Sequence, residues 1–485
     1  MKKSLVTLMA IAAALFMLSC EKDSDDGPDW VPGLFQDEQL ELLIRHQLHI
    51  SDRMLTLNDV ESMVAIDLRG ESPHYSGPFF SVSSLEGLQN IPRLRKLRLF
   101  TGTVSDLSPL ENLAELEDLQ LYGNRIRDIS RLAGLVLMRR LDLWDNQISN
   151  ISAVSGIPQL DYLHLSKNPI SDLSPLSGLT HLTTLRCSEC LIEDVSPLSS
   201  MTYLQTLELS NNNIVDISSL ESLDNLQSLY VNQNQITSIQ AVQGMRSLIG
   251  LVASENLITS FAGLSGQQNL RWVYLWGNPA RTLDGISDLP AVETFQVGDS
   301  IASLVGMSEM PSMTYFSCQR CPVSSMEGVH DLPLLSSFVM QFSGIESLDG
   351  MYNLPALRNL NLWESKLTTM RGISQLSSLV EFEAVGSNIA SLEDFANLPN
   401  LTYAGLAQCE IVDLTPMHDL PKLLRLNLQS NDITNIAPLI DLPWDTSIAN
   451  WNSAWLSIYS NPLDNTSIEQ HIPTLRARGV EVYWH

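Results

Sequence analysis

Residues 204–225, LQTLELSNNNIVDISSLESLDN, follow the pattern L-x-x-L-x-L-x-x-N-x-I-x-D-I-x-x-L-x-x-L, and most of the chain repeats it. The first leucine recurs at Leu94, Leu116, Met138, Leu160, Leu182, Leu204, Leu226, Leu248, Leu270, Val292, Met313, Leu335, Leu357, Leu379, Leu401 and Leu423. The step is 22 residues, with one of 21 between Val292 and Met313. Sixteen copies in register cover about four fifths of the 485 residues.

One copy explains why there are many. In Leu207-Glu208-Leu209 the two leucines point to one side of a short strand, while Thr206, Glu208 and Ser210 point to the other. After Asn212 the chain turns, and Ile214, Ile217, Leu220 and Leu223 return apolar groups to the interior. A single coil cannot bury that face. Stacked coils bury it between neighbours and pair their strands into a parallel sheet, with the outward residues on a continuous curved face.

This period and consensus are identified as the leucine-rich repeat. The expected fold is an α/β repeat solenoid, a horseshoe or arc with a parallel concave β-sheet, an irregular or 3-10 convex side and a helical N-terminal cap. Seventeen strands at the spacing of a sheet give a contour of roughly 80 Å. The Asn212 position is filled by Asn124, Asn146, Asn168, Asn234, Asn256, Asn278, Asn431 and Asn461 in other copies. A buried amide there donates and accepts to backbone groups of adjacent turns that would otherwise stay unpaired at about 1–3 kcal/mol each. These residues form a structural ladder and are assigned no ligand.

The chain carries a formal charge of −27. Nucleic acid or an anionic membrane surface is therefore an unsuitable partner. The first twenty residues, MKKSLVTLMAIAAALFMLSC, have two lysines, an apolar stretch from Leu5 to Leu18 and then Leu18-Ser19-Cys20. That is a secretory leader too short to span a bilayer as a stable helix. Its small residue before cysteine resembles the lipobox of bacterial lipoproteins, which implies cleavage before Cys20, lipidation of Cys20 and membrane attachment through that anchor alone. An ordinary secretory signal is the alternative. Removal of Lys2 and Lys3 would leave 26 basic against 55 acidic residues, or −29. The acidic tether Glu21-Lys22-Asp23-Ser24-Asp25-Asp26 resembles the export signal of some Gram-negative surface lipoproteins, implying surface exposure on the outer membrane, with periplasmic retention as the alternative.

From Phe35 to Met63 the period changes. Phe35, Leu40, Leu43, Ile44 and Leu48 follow helical spacing, and Ser51 and Asn58 are turn or cap residues before a second short helix ending near Met63. An open solenoid end would expose its core, so a helical cap is expected. A first irregular coil follows with Ile66 and Leu68 as its strand and SPHYSGPFF in an aromatic loop. After Leu442, PWDTSIANW delays the strand around Leu456 and Ile458, and the chain then has a helix-like stretch and an alternating Val480, Val482 finish. This reads as a closing segment, with no catalytic domain after it. The boundaries expected are 1–19 leader, 20–33 tether, 34–62 cap, 63–443 repeats, and 444–485 last repeat and C-terminal cap.

The segments DLSPL (106–110 and 172–176), DVSPL (194–198) and DLTPM (413–417) place a polar capping residue and a proline where a short helical turn begins. With the 22-residue consensus they resemble the internalin-type repeats of bacterial surface proteins. The resemblance implies a binding scaffold whose concave sheet engages a partner. The sequence lacks the immunoglobulin-like module and cell-wall sorting signal of that family, so specific internalin receptors are not carried over.

Cys187-x-x-Cys190 and Cys318-x-x-Cys321 have the spacing of a redox pair or zinc knuckle. In register, Cys187 and Cys318 fall on the second leucine of L-x-L, while Cys190, Cys321 and Cys409 fall on the Asn212 position. Both sites face inward, where a free cysteine packs as a small hydrophobe. Core packing is the reading, a local disulfide the alternative, and no metal or cofactor is expected.

The three outward positions of seventeen strands hold 51 residues and 12 of the 20 Trp and Tyr. Phe100, Tyr122 and Trp144 line up on successive coils; Trp272, Tyr274 and Trp276 form a mid-array cluster; Tyr230, Tyr315 and Trp363 are further candidates. Strand preference for aromatics explains part of this, and a recognition surface explains it more sharply, because Tyr and Trp dominate binding hot spots. On the same positions Lys96, Arg98, Arg140, Arg186 and Arg425 balance Asp118, Asp142, Glu208, Glu381 and Glu383. A neutral aromatic face suits a host or bacterial surface protein, or a glycan, better than a polyanion. An envelope structural role without a discrete ligand is the remaining alternative. Catalysis is not expected: Glu381 and Glu383 have no recognisable third group and His164 no metal partners.

Overall fold

The computed structural model describes residues 33–51, 53–67, 81–444 and 454–484, which divide into two compact units, Met1–Cys190 and Leu191–His485. The leader, Cys20, most of the tether, Leu68, the SPHYSGPFF loop and most of the PWDTSIANW segment lie outside the described residues.

In the first unit, helix α1 (Glu38–Leu48) starts where the Asp37 side chain accepts from Leu40 N at 3.0 Å, and ends at His49 in the left-handed region. Glu41 and Arg45 pair at 2.7 Å one turn apart. Phe35, Leu40, Leu43 and Ile44 are buried, whereas Leu48 is half-buried. The second oxygen of Asp37 accepts from Ser83 N at 2.6 Å and Ser83 Oγ at 2.5 Å, which ties the cap to the coil beneath it. Burial would push the Asp37 carboxyl up, but these bonds and that from Leu40 outweigh it and hold it below the usual range. Helix α2 (Leu57–Val60) is capped by Thr56 and Asp59 in a reciprocal box, so Asn58 lies inside the helix and does not cap it.

Six parallel strands follow, from β1 (Ala65–Asp67) to β6 (Thr184–Arg186), each paired with the next. Pairing sets Leu119 opposite Leu141 and Leu141 opposite Leu163. Side chains alternate across a strand, so these leucines and Leu121, Leu143 and Leu165 are fully buried. The second unit holds thirteen strands, from β7 (Thr206–Glu208) to β19 (Glu481–Tyr483), in the same parallel sequence. In part of it phenylalanine replaces the inward leucine. Phe295 and Phe316 stack at 6.3 Å, and Phe316 and Phe338 at 5.1 Å, all buried. Near the end a π-helical turn (Ser467–His471) runs into α3 (Ile472–Ala477), and Val480, just before β19, and Val482, within it, are buried.

The coils return in two ways. In one, an Asp side chain accepts from the backbone N–H two residues on, as Asp172 does from Ser174 at 2.8 Å and Asp216 from Ser218 at 2.8 Å, and a 3-10 turn begins there. Asp413 makes the same bond to Thr415 at 2.9 Å, but a simple turn follows. In the other, glycine replaces the capped turn. Gly328 has φ +94, and a Cβ on it would lie 2.4 Å from Leu304 O, so only glycine lets these coils close up.

The asparagine ladder is a set of hydrogen bonds between coils. Asn256 Oδ1 accepts from Ile236 N at 2.9 Å, and its Nδ2 donates to Val231 O at 2.9 Å and Ala253 O at 3.2 Å. Asn146, Asn168, Asn234, Asn278, Asn431 and Asn461 accept and donate in the same manner, while Asn124 accepts from Val104 N and donates to Leu121 O, and Asn212 accepts from Ile192 N and donates to Leu209 O.

The cysteine pairs differ. Cys318 and Cys321 are joined by a disulfide, so packing of two free thiols is not their state; both residues face inward, and the strand-end geometry brings their sulfurs together inside one coil. Cys187, Cys190 and Cys409 are buried thiols, and burial pushes all three up in pKa. Cys190 Sγ lies 3.6 Å from Leu165 O, and with no amide oxygen there Ile170 N bonds Asn168 O at 2.8 Å.

Candidate functional site

The outward residues sit where they do because the inward leucines fix the strand register. A one-residue slip would turn every apolar side chain to solvent. Each aromatic candidate is therefore held at a strand position set by the core behind it.

In the first unit the rings form a row across strands. Phe100 and Tyr122 stack at 4.2 Å and 12°, Tyr122 meets Trp144 edge-on at 5.8 Å, and Trp144 lies 6.4 Å from His164. All four are half-buried, because each ring covers its neighbour. Cations add to the row: Arg140 lies 3.4 Å over the Tyr162 ring and Lys167 5.0 Å over Trp144. His164 Nδ1 is 3.2 Å from Asp142, which gives this histidine a place in the row. Beside it, Asp67 pairs with Lys96 at 2.7 Å and with Arg98 at 3.2 Å, and Arg98 also pairs with Asp118. The charges on this face thus neutralise one another in contact. Asp67, from the first irregular coil, supplies a partner that the count over seventeen strands omits.

In the second unit, Trp272 lies 5.8 Å from Tyr230 and 6.1 Å from Tyr274. Trp272 and Tyr230 are two coils apart, bridged over Gly250. Trp276, two residues past the end of the Trp272 strand, is 44 % exposed, and Tyr315 is half-buried. Trp363 is 41 % exposed and meets Phe342 at 5.7 Å. Phe342 comes one residue after the third outward position, so a count of outward positions passes over it. Its signal in the sequence is a phenylalanine in a row otherwise polar or glycine.

Glu381 and Glu383 are held by amides, Asn359 at 3.0 Å and Asn361 at 2.6 Å, and Arg425 lies 3.9 Å from Glu381. Burial, then the Glu383 charge, pushes the Tyr403 hydroxyl up to about 12. Burial, then Asp142, likewise raises Tyr122 and Tyr162. These phenols stay protonated at neutral pH and present donors. Among the described residues no group of three or more His, Cys, Asp or Glu is placed to hold a metal ion. An open groove of about 1050 Å³ lies among Pro399, His418, Asp419, Pro421 and Pro443, away from every aromatic candidate.

Parallel strands, inward leucines and an asparagine ladder define a leucine-rich-repeat fold. The family model described as Leucine Rich repeats (2 copies) matches residues 158–200 and 204–244. Among solved structures, the chain is similar to an internalin (inlF) of Listeria monocytogenes, at 23 % identity over 82 % of this chain and 98 % of that one, with a TM-score of 0.52. It is similar to a leucine-rich-repeat protein of Leptospira interrogans at 19 % identity, 82 % and 98 % coverage and a TM-score of 0.61. The functional domain of InlJ from Listeria monocytogenes, which includes a cysteine ladder, matches at 18 % identity, 88 % and 81 % coverage and a TM-score of 0.53. At these identities the likeness is one of fold. No curated protein matches. Among the described residues no helix is long and apolar enough to cross a membrane.

Proposed function

We propose that this chain is a binding protein that recognises another protein through the strand-borne aromatic rows, and that it is held at the cell envelope by lipid on Cys20, exposed at the surface of the outer membrane. The leader (1–19), tether (20–33), cap (34–62), repeats (63–443) and closing segment (444–485) serve that arrangement. The observation that carries the reading is the packing of Phe100, Tyr122 and Trp144. Phe100 and Tyr122 cover each other face to face and Tyr122 meets Trp144 edge to face, so the three rings stand half-buried against one another. A sugar ring needs an open aromatic face to stack on, whereas a protein partner uses edges, hydroxyls and paired charges.

Glycan capture is the second reading, favoured by Trp276, whose 44 % exposure leaves the ring accessible. A screen of the chain against a glycan array and a panel of host and bacterial surface proteins separates the two. Protein recognition predicts a protein hit weakened by alanine at positions on several coils, among them Tyr122, Trp144 and Tyr230. A glycan hit abolished by replacing Trp272, Tyr274 and Trp276 with alanine would establish sugar capture instead, and silence on both would point to an envelope structural role. For the anchor, Cys20→Ser should move the protein from the membrane to the soluble fraction; unchanged membrane association would refute lipidation.

A further inference from the structure

Past the end of most strands lies a residue in the left-handed region, and in many coils its N–H bonds the next coil, as Phe342 N does to Trp363 O at 2.9 Å and Glu364 N to Val385 O at 2.7 Å. The backbone needs this conformation; the side chain is a free choice, and polar residues or glycine bear it best. Of the twenty non-glycine residues with positive φ among the described residues, Phe342, at φ 54, is the one large apolar residue. It is also 48 % exposed, and its ring lies against Trp363, itself 41 % exposed. An exposed aromatic on a disfavoured backbone does nothing for the fold that asparagine would not do better. Strain of this kind, kept at a surface, points to function.

The surroundings say what would cover it. On the next coil the exposed Glu364 turns its carboxylate onto Gly386, and the neighbouring strand carries Glu381 and Glu383. Glu381 and Glu383 accept from the neutral amides of Asn359 and Asn361, and Arg425 stands 3.9 Å from Glu381. Three carboxylates with one guanidinium leave this side of the aromatic pair net negative.

Resting on the reading that the chain binds protein, we infer that Phe342 and Trp363 anchor a bulky apolar side chain of the partner, beside a lysine or arginine of the same segment that faces Glu364 and Glu383. Apolar contact supplies the hold and the carboxylates choose the neighbour.

The test is fluorescence polarisation of the full chain with labelled octapeptides of a Gly-Ser background carrying Leu-Lys, Leu-Arg, Leu-Glu or Ser-Lys at the centre. Leu-Lys and Leu-Arg should bind, with Leu-Glu and Ser-Lys weaker by tenfold or more. Phe342→Asn should lower affinity on the order of 30-fold while leaving Tm unchanged or raised, since asparagine tolerates the left-handed region. Trp363→Ala should lower affinity similarly, and Glu364→Gln should reduce the preference for the cationic peptides. A fall in Tm on Phe342→Asn would show that Phe342 supports the fold, and would overturn the inference. Full affinity in Phe342→Asn with loss in Tyr230→Ala or Tyr274→Ala would overturn the anchor yet leave protein recognition standing. Absence of binding by every peptide at millimolar concentration, or binding of a neutral oligosaccharide such as maltohexaose in their place, would also overturn it.

Discussion

Gly250 makes room for Trp272: a Cβ on Gly250 would lie 1.7 Å from the Trp272 ring, which crosses this position to approach Tyr230 at 5.8 Å. Gly250→Ala should displace the indole and cost about 0.5–1.5 kcal/mol, the value of the ring pair it breaks. Near-UV circular dichroism and Tm check this; an unchanged aromatic signal would show that the ring does not depend on the gap.

Asn256 joins two coils through Ile236 N, Val231 O and Ala253 O. Asn256→Ala should destabilise by about 3 kcal/mol, because buried backbone groups lose their partners. Asn256→Cys should cost less, as cysteine already fills this position at Cys190 and Cys409. Urea denaturation of both variants gives the order, and equal losses would count against the ladder.

The capped returns make stability depend on pH. Backbone and hydroxyl hydrogen bonds from Ser174, Ser196 and Ser218 reach Asp172, Asp194 and Asp216. They hold Asp172 and Asp216 below the usual carboxylate range. A carboxyl depressed on folding contributes its stability above its unfolded pKa of about 3.9 and loses it as pH falls through the lower folded value. Tm should therefore fall below about pH 4. Replacing Asp172 and Asp216 with asparagine should flatten that fall, because the amide accepts the same bond, as Asn150 does from Ser152 N at 2.8 Å.

Alkylation after unfolding should distinguish the cysteines. Without reductant Cys187, Cys190 and Cys409 should be modified and Cys318 and Cys321 protected; with reductant all five should react. Mass spectrometry of the peptides reads the pattern directly, and modification of Cys318 without reductant would contradict the disulfide.

Much of this fold was legible because one pattern is written many times. Leu119, Leu141 and Leu163 announce their burial by spacing, and Asn256 announces its ladder by recurrence. The disulfide was less so, since the inward register of Cys318 and Cys321 equals that of Cys187 and Cys190, and the pairs differ only in the folded chain. The row from Phe100 to Trp144 was visible as positions, but which ring faces are covered depends on side-chain angles that spacing does not set. Gly250 and Phe342 escape the repeat pattern for opposite reasons. One matters through the side chain it lacks, and the other through a backbone angle shared with polar residues elsewhere.

The ladder also bears on how such a chain changes length. Asn234 bonds Ile214 N and Leu209 O behind it, and Asn256 bonds Ile236 N and Val231 O in turn. Every junction among these coils has the same interlocking parts, so excising or duplicating one coil rejoins matching groups at the seam. Gene segments of that size can be lost or copied within this part of the array without leaving a faulty joint, whereas a cut within a coil would leave unmatched amides on both sides.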